Sequence, residues 1–210
     1  MRVHHLNCGS LRKIPPLGGE RPGGAEAGGL PDFPGARVHV HPAEYRAVTG
    51  PADPHHRHSL DRFLPAHRAH GPLLTPAVAD GSAEWFGFPG VARVPGLACE
   101  VLLVPLPGHS AGPAGVAVRG GDGRWLLHAG GAYRYHGETE RAPPSAHPAF
   151  APVQPGAQTG AEAVRATRER LRALRRDHGD RVTVFSAHNP WEWARLTTPT
   201  PLPAPAHPGD

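Results

Sequence analysis

Thiols are scarce in this chain. Cys8 and Cys99 are its two cysteines, and their separation makes neither a metal knuckle nor a disulfide framework. Charge is also thin: Asp, Glu, Lys and Arg make up 19% of the residues, against the usual ~25%. Aromatic residues are only 6%. None interleaves the basic residues, so the net charge of +4 does not read as a nucleic-acid surface. No apolar run approaches the ~18 residues of a membrane span, and Met1-Arg-Val-His-His5 lacks the apolar core of a signal peptide. The expected setting is therefore reduced and cytoplasmic, with no nucleic acid and no membrane as partner.

What the chain has in quantity is glycine, proline and histidine: 27, 27 and 16 of 210 residues. That length is enough for one sizeable core. The Gly and Pro content predicts long irregular connections around it. Most of the histidines follow the same compositional bias as the Ala, Gly, Pro and Arg. We expect a single domain over 1–196, irregular across 14–30, and a Pro-rich tail over 197–210 that frays.

The most informative stretch is Pro105-Leu-Pro-Gly-His-Ser-Ala-Gly112. The apolar run Val101–Val104 before it predicts a buried strand. Gly115–Val118 and Arg124–Gly130 predict two more strands around a turn at Gly120–Gly123. His109 thus falls in a glycine-bracketed loop at a strand end, where rigid sheets commonly carry ligand or catalytic groups.

Three segments, Pro107-Gly-His-Ser-Ala-Gly112, Leu127-His-Ala-Gly-Gly-Ala-Tyr133 and Val182-Thr-Val-Phe-Ser-Ala-His188, together resemble the metallo-β-lactamase-fold hydrolases, and more closely their lactonase-like branch. The resemblance implies an α/β fold, here an incomplete αββα metallo-β-lactamase-like sandwich. It also implies zinc as the metal, small-molecule ester or lactone hydrolysis as the activity, and His109 and His188 as metal ligands. The family places a bridging aspartate where Gly131 stands. Its His-x-His-x-Asp-His loop should precede Ala27-Gly-Gly-Leu30, but Arg21, Gly23, Ala25 and Glu26 occupy that region.

That shortfall bears on chemistry. A catalytic zinc takes about three protein ligands and a water whose pKa falls to about 7. Two neutral imidazoles do not offset the ion's charge, and a paired site also needs bridging carboxylates. Two function classes stay open: a metal-dependent hydrolase with ligands not located, and a shortened, non-catalytic binding or structural relative. A missing N-terminal layer would leave apolar sheet surface uncovered and favour self-association.

Other segments carry weaker signals. Arg2–Cys8 alternates as an edge strand with His4 and His5 on opposite faces. Ala36–His41 alternates as a half-buried strand with His39 and His41 on one face; a polar strand face explains the pair better than a metal. Pro42–Val48 opens a short helix with Pro42 in its first turn. The histidine-rich 51–70 region reads equally as a loop over a site mouth and as a plain surface loop. Glu84–Phe88 and Val91–Val94 are strand candidates, and Tyr133–Pro155 is irregular, with His136 and His147 at no recognisable spacing. Thr159–Glu162 has the capping-box pattern. The helix after it sets Val164, Thr167, Leu171 and Leu174 on one face. Arg165, Arg168, Arg172, Arg175 and Arg176 form the expected solvent side. Gly179 ends it, and Asn189-Pro190 caps a final helix.

Overall fold

The computed structural model describes residues 35–50, 69, 71–79, 84–148, 160–187 and 189–197. The readings made on Arg2–Cys8, Glu26, the histidine-rich stretch, the Pro-rich tail and His188 lie outside these residues.

Apolar alternation in the middle of the chain builds a five-stranded sheet in the order β5 (Ala92–Arg93), β6 (Val101–Pro105), β7 (Ala114–Arg119), β8 (Trp125–His128), β9 (Val182–Phe185). The first three pairings are antiparallel and β8–β9 is parallel. The β7–β8 connection is the Gly120–Gly123 turn. Asp122 Oδ1 accepts from the Arg124 amide at 3.1 Å, and the Gly120 amide donates to the Arg124 carbonyl at 2.7 Å. Parallel pairing of β8 with β9 needs a crossover, and α3 (Ala161–His178) supplies it. Two short helices flank it in sequence, α2 (Gly137–Glu140) before and α4 (Pro190–Thr197) after β9.

Burial alternates along β7 and β8, while Val101–Val104 of β6 is buried throughout. Leu102, Val104, Ala117, Leu127, Val182 and Val184 share one core with Leu171 and Leu174 of α3. Val164, Thr167, Leu171 and Leu174 are the buried residues of that helix, as the 3.6-residue spacing requires. Each fully buried leucine there contributes about 1.5–3 kcal/mol relative to exposure. Trp85 closes the core edge-on against Trp125, with centroids 5.5 Å apart.

The other sheet face is covered unevenly. β1 (Arg37–Val40) and β2 (Leu73–Pro76) pair in parallel as a two-stranded sheet joined through α1 (Pro42–Thr49). Ala77 just past β2 packs with Ala92 and Leu103. Val116, Val118 and Leu126, farther along the same face, are only half-buried. The arrangement is an incomplete α/β sandwich.

Four readings need correction. Glu84–Phe88 is a hairpin, β3 (Glu84–Trp85) with β4 (Phe88–Pro89). Phe86 at φ 48° and Gly87 at φ 82° make the doubly left-handed turn that suits a two-residue hairpin; a phenylalanine gives little warning of that conformation. Tyr133–Pro155 contains α2, whose single turn is too short to show periodicity. Strand β2 carries no sequence signal because prolines 72 and 76 bracket only three residues. Helix α3 is capped by Gly160 with no side-chain hydrogen bond, one residue later than the capping box at Thr159 predicts.

The arginine stripe is the fifth and largest correction. Arg168, Arg172 and Arg175 are not a solvent face. Arg168 pairs with buried Glu138 at 2.6 Å, and Arg175 with buried Glu192 at 2.6 Å. Long arginine stems let the guanidinium reach past the helix edge to these carboxylates. Arg176, by contrast, pairs with its exposed neighbour Asp177.

Candidate functional site

The His109 loop leaves the end of β6 and returns into β7. Its base is closed by the Leu106 amide, which donates to the Pro113 carbonyl at 2.9 Å. One side rests on the start of α3. Thr167 Oγ1 donates to the Pro107 carbonyl at 2.8 Å, and the Gly160 amide to the Gly108 carbonyl at 3.3 Å. Gly108 sits at φ +125°, and a β-carbon there would lie 2.5 Å from the Val164 nitrogen. Glycine is needed at this position for both conformation and space.

The other side is tied to α1. Glu44 Oε2 accepts from Ser110 Oγ at 2.9 Å and from the Gly112 amide at 2.6 Å. A β-carbon on Gly112 would lie 2.5 Å from the Glu44 nitrogen and 2.7 Å from His41 Nδ1. His41 itself is the N-cap of α1, its Nδ1 accepting from the Ala43 amide at 3.2 Å. Burial holds its pKa below the ordinary 6.5; Glu44 pushes it back up and Arg46 adds to the lowering. The His39–His41 pair thus resolves into strand and cap positions rather than a chelating pair.

His109 and Ser110 are both buried. The turn after β8 faces them. A β-carbon on Gly131 would lie 2.6 Å from His109 Nε2, 2.7 Å from its Cδ2 and 3.0 Å from its Cε1. The same turn is fastened to the end of β9. The Ala129 amide donates to the Phe185 carbonyl at 2.7 Å, and the Ala187 amide to the Gly130 carbonyl at 3.0 Å. The chain leading to His188 therefore runs beside Gly130, while His188 itself lies outside the described residues.

Beyond Gly131 the chemistry becomes ionic. Tyr133 is fully buried. Its hydroxyl donates to Glu192, whose two oxygens lie at 2.8 and 3.0 Å. Arg175 Nη2 donates to Tyr133 Oη at 2.6 Å, to Glu192 Oε1 at 2.6 Å and to the Val184 carbonyl at 3.0 Å. The Ser186 amide donates to Glu192 Oε2 at 2.9 Å. Burial pushes the Tyr133 phenol well above 10 and raises the Glu192 carboxyl, against the pull of Arg175. Glu140 extends the network, accepting from Arg175 at 2.9 Å and Arg195 at 3.0 Å. On the neighbouring side, Glu138 Oε1 accepts the Arg134 and Tyr135 amides at 3.1 and 3.0 Å. Sequence reasoning missed Glu44, Glu138 and Glu192. Each lies on a short helix, and only its distant partners mark it.

His136 and His147, without spacing in sequence, meet around the same two rings. Tyr135 lies 4.2 Å from His136 and 5.2 Å from His147, and Trp191 lies 5.8 and 5.6 Å from them. Burial lowers the His136 pKa from 6.5. An open hollow of about 670 Å³, lined by Glu100, Arg119, Asp122, Trp125, Leu126 and Thr183, sits at the opposite end of β6 from the His109 loop and has no part in it.

The donors test poorly for a metal. Among the described residues no three His, Cys, Asp or Glu side chains converge. Glu44 is turned to Ser110 and Gly112. The place where the resemblance expects a bridging acid holds Gly131 with an imidazole pressed against it. Fewer than three converging donors among the described residues do not fit a two-zinc centre.

No family model matches the sequence. Two mycobacterial proteins do, each named as a probable metallo-hydrolase, one from Mycobacterium bovis and one from Mycobacterium tuberculosis. Each is 41% identical over 113 residues, covering 52% of this chain and 34% of the relative. The chain thus spans about a third of the length of the curated relatives it matches. Among solved structures, a B. thuringiensis AiiA variant with N-decanoyl-L-homoserine bound is 18% identical at a TM-score of 0.46, covering 78% of this chain and 51% of that one. A quorum-quenching N-acyl homoserine lactone hydrolase is 20% identical at the same TM-score, covering 78% and 52%. Over that stretch the chain is similar in sequence to proteins named as probable metallo-hydrolases.

Proposed function

We propose that this chain is a metallo-hydrolase relative, of the lactonase-like kind, whose zinc chemistry is impaired or absent. The observation that carries the reading is Gly131: no carboxylate can reach a metal from that position, and the His109 ring lies where its side chain would begin. A complete zinc site would supply Lewis-acid chemistry toward an ester or lactone carbonyl. With His109 and His188 as the remaining ligands, any metal would be weakly held. If activity persists, the substrate would be a small ester or lactone, as the family resemblance implies.

Zinc content after metal-free purification and reloading tests this. The expected result is no tightly held zinc. Two tight zinc ions per chain, lost together in His109→Ala, would overturn it.

The alternative is a non-catalytic binding or structural role. What supports it is the half-buried strip of Val116, Val118 and Leu126 with exposed Leu73, Val78 and Leu97, a surface suited to self-association. Sedimentation across a concentration series discriminates: a monomer at all concentrations removes the self-association arm.

A further inference from the structure

The turn at 129–132 holds two adjacent glycines that differ in kind. Gly130 has φ +54° and only a carbonyl 3.9 Å from its β-carbon position, so its backbone is what favours glycine. Gly131 has no left-handed backbone, and an L side chain could take its conformation. What stands in the way is one group, the His109 imidazole, with all three nearest atoms within 3.0 Å of the β-carbon position. Its loop is bound to α3 through Pro107 and Gly108, and to α1 through Ser110 and Gly112.

We infer that residue 131 is a positioning residue for His109: the imidazole and any side chain at 131 compete for one space, and glycine lets the ring fill it. This deepens the proposed loss of metal chemistry and rests on that reading only for its consequence. The missing carboxylate and the present ring position are then one event. An acid could not be restored at 131 without moving His109.

A metal-free double-mutant cycle tests the competition. Gly131→Ala adds a single β-carbon, and His109→Ala removes the ring. Expected is an unfolding constant about tenfold larger for Gly131→Ala in the wild-type background, with little change in the His109→Ala background, the coupling of groups in contact. Should the ring yield instead, the His109 imidazole resonances, assigned by their loss in His109→Ala, would shift in Gly131→Ala while those of His178 stay put; this also supports the inference. An additive cycle together with unmoved His109 resonances overturns it. Because no metal is present, tight zinc in the wild type would sink the proposed function without touching this result.

Discussion

Gly131 and Tyr133 are two residues apart, and their surroundings are opposites. Around Tyr133, a phenol, two carboxylates and two guanidinium groups are linked by hydrogen bonds and ion pairs. Around Gly131 the three atoms nearest a β-carbon would all belong to the His109 imidazole. The first region spends its charges on holding α2, α3 and α4 to β9. The second is held by glycines and by Glu44, an acid committed to a loop hydroxyl and amide. Ionic side chains join the elements in the first region, and glycines set the close packing in the second.

The sharpest way to break that contrast is Glu192→Ala. It would leave the Arg175 guanidinium and Tyr133 hydroxyl buried without their acid, at an expected cost of about 3–5 kcal/mol, read by denaturant unfolding. A smaller loss would mean that water replaces the carboxylate. Leu171→Ala empties the apolar core beside the network and should cost about 2–5 kcal/mol. At the loop, Glu44→Gln weakens two charge-assisted bonds and should cost about 1–3 kcal/mol, with faster amide exchange at Gly112. If exchange at Gly112 is unchanged, Glu44 does not hold the loop.

Acid titration sharpens the comparison further. Burial lowers the folded pKa of both His41 and His136 below 6.5. The unfolded chain then binds more protons than the folded one as pH falls through 6.5, so stability drops on acidification. Each histidine contributes at most about 1.4 kcal/mol per pH unit. The slope of unfolding free energy between pH 7 and 5 should flatten in His136→Asn. The smallest effect belongs to the exposed Arg176–Asp177 pair: Asp177→Asn should leave the melting midpoint unchanged.

Much of the second half was legible residue by residue. Val101–Val104 reads as a buried strand because four apolar residues in a row suit a strand covered on both faces. Val164, Thr167, Leu171 and Leu174 read as one helix face because of their spacing. Asn189 and Pro190 announce α4, and Asn189 Oδ1 does accept from the Glu192 amide, at 3.4 Å. The arginines of α3 were misjudged because period alone tells which side of a helix is apolar. It cannot tell that Glu138 and Glu192 wait at the edges of that side. The hairpin turn at Phe86 and the single-turn α2 are likewise set by what packs on them.

From the amino-acid order alone come the central strands, the crossover helix, the loop carrying His109 and the glycine at 131. These rest on local patterns of two and 3.6 residues and on residue identity, which need no partner to be read. Only the tertiary structure decided that Glu44 reaches a hydroxyl 66 residues away, that three arginines turn inward, and that His109 lies against Gly131. Such pairings join segments far apart in the chain, and their energy depends on distances of a few ångströms that no local pattern encodes.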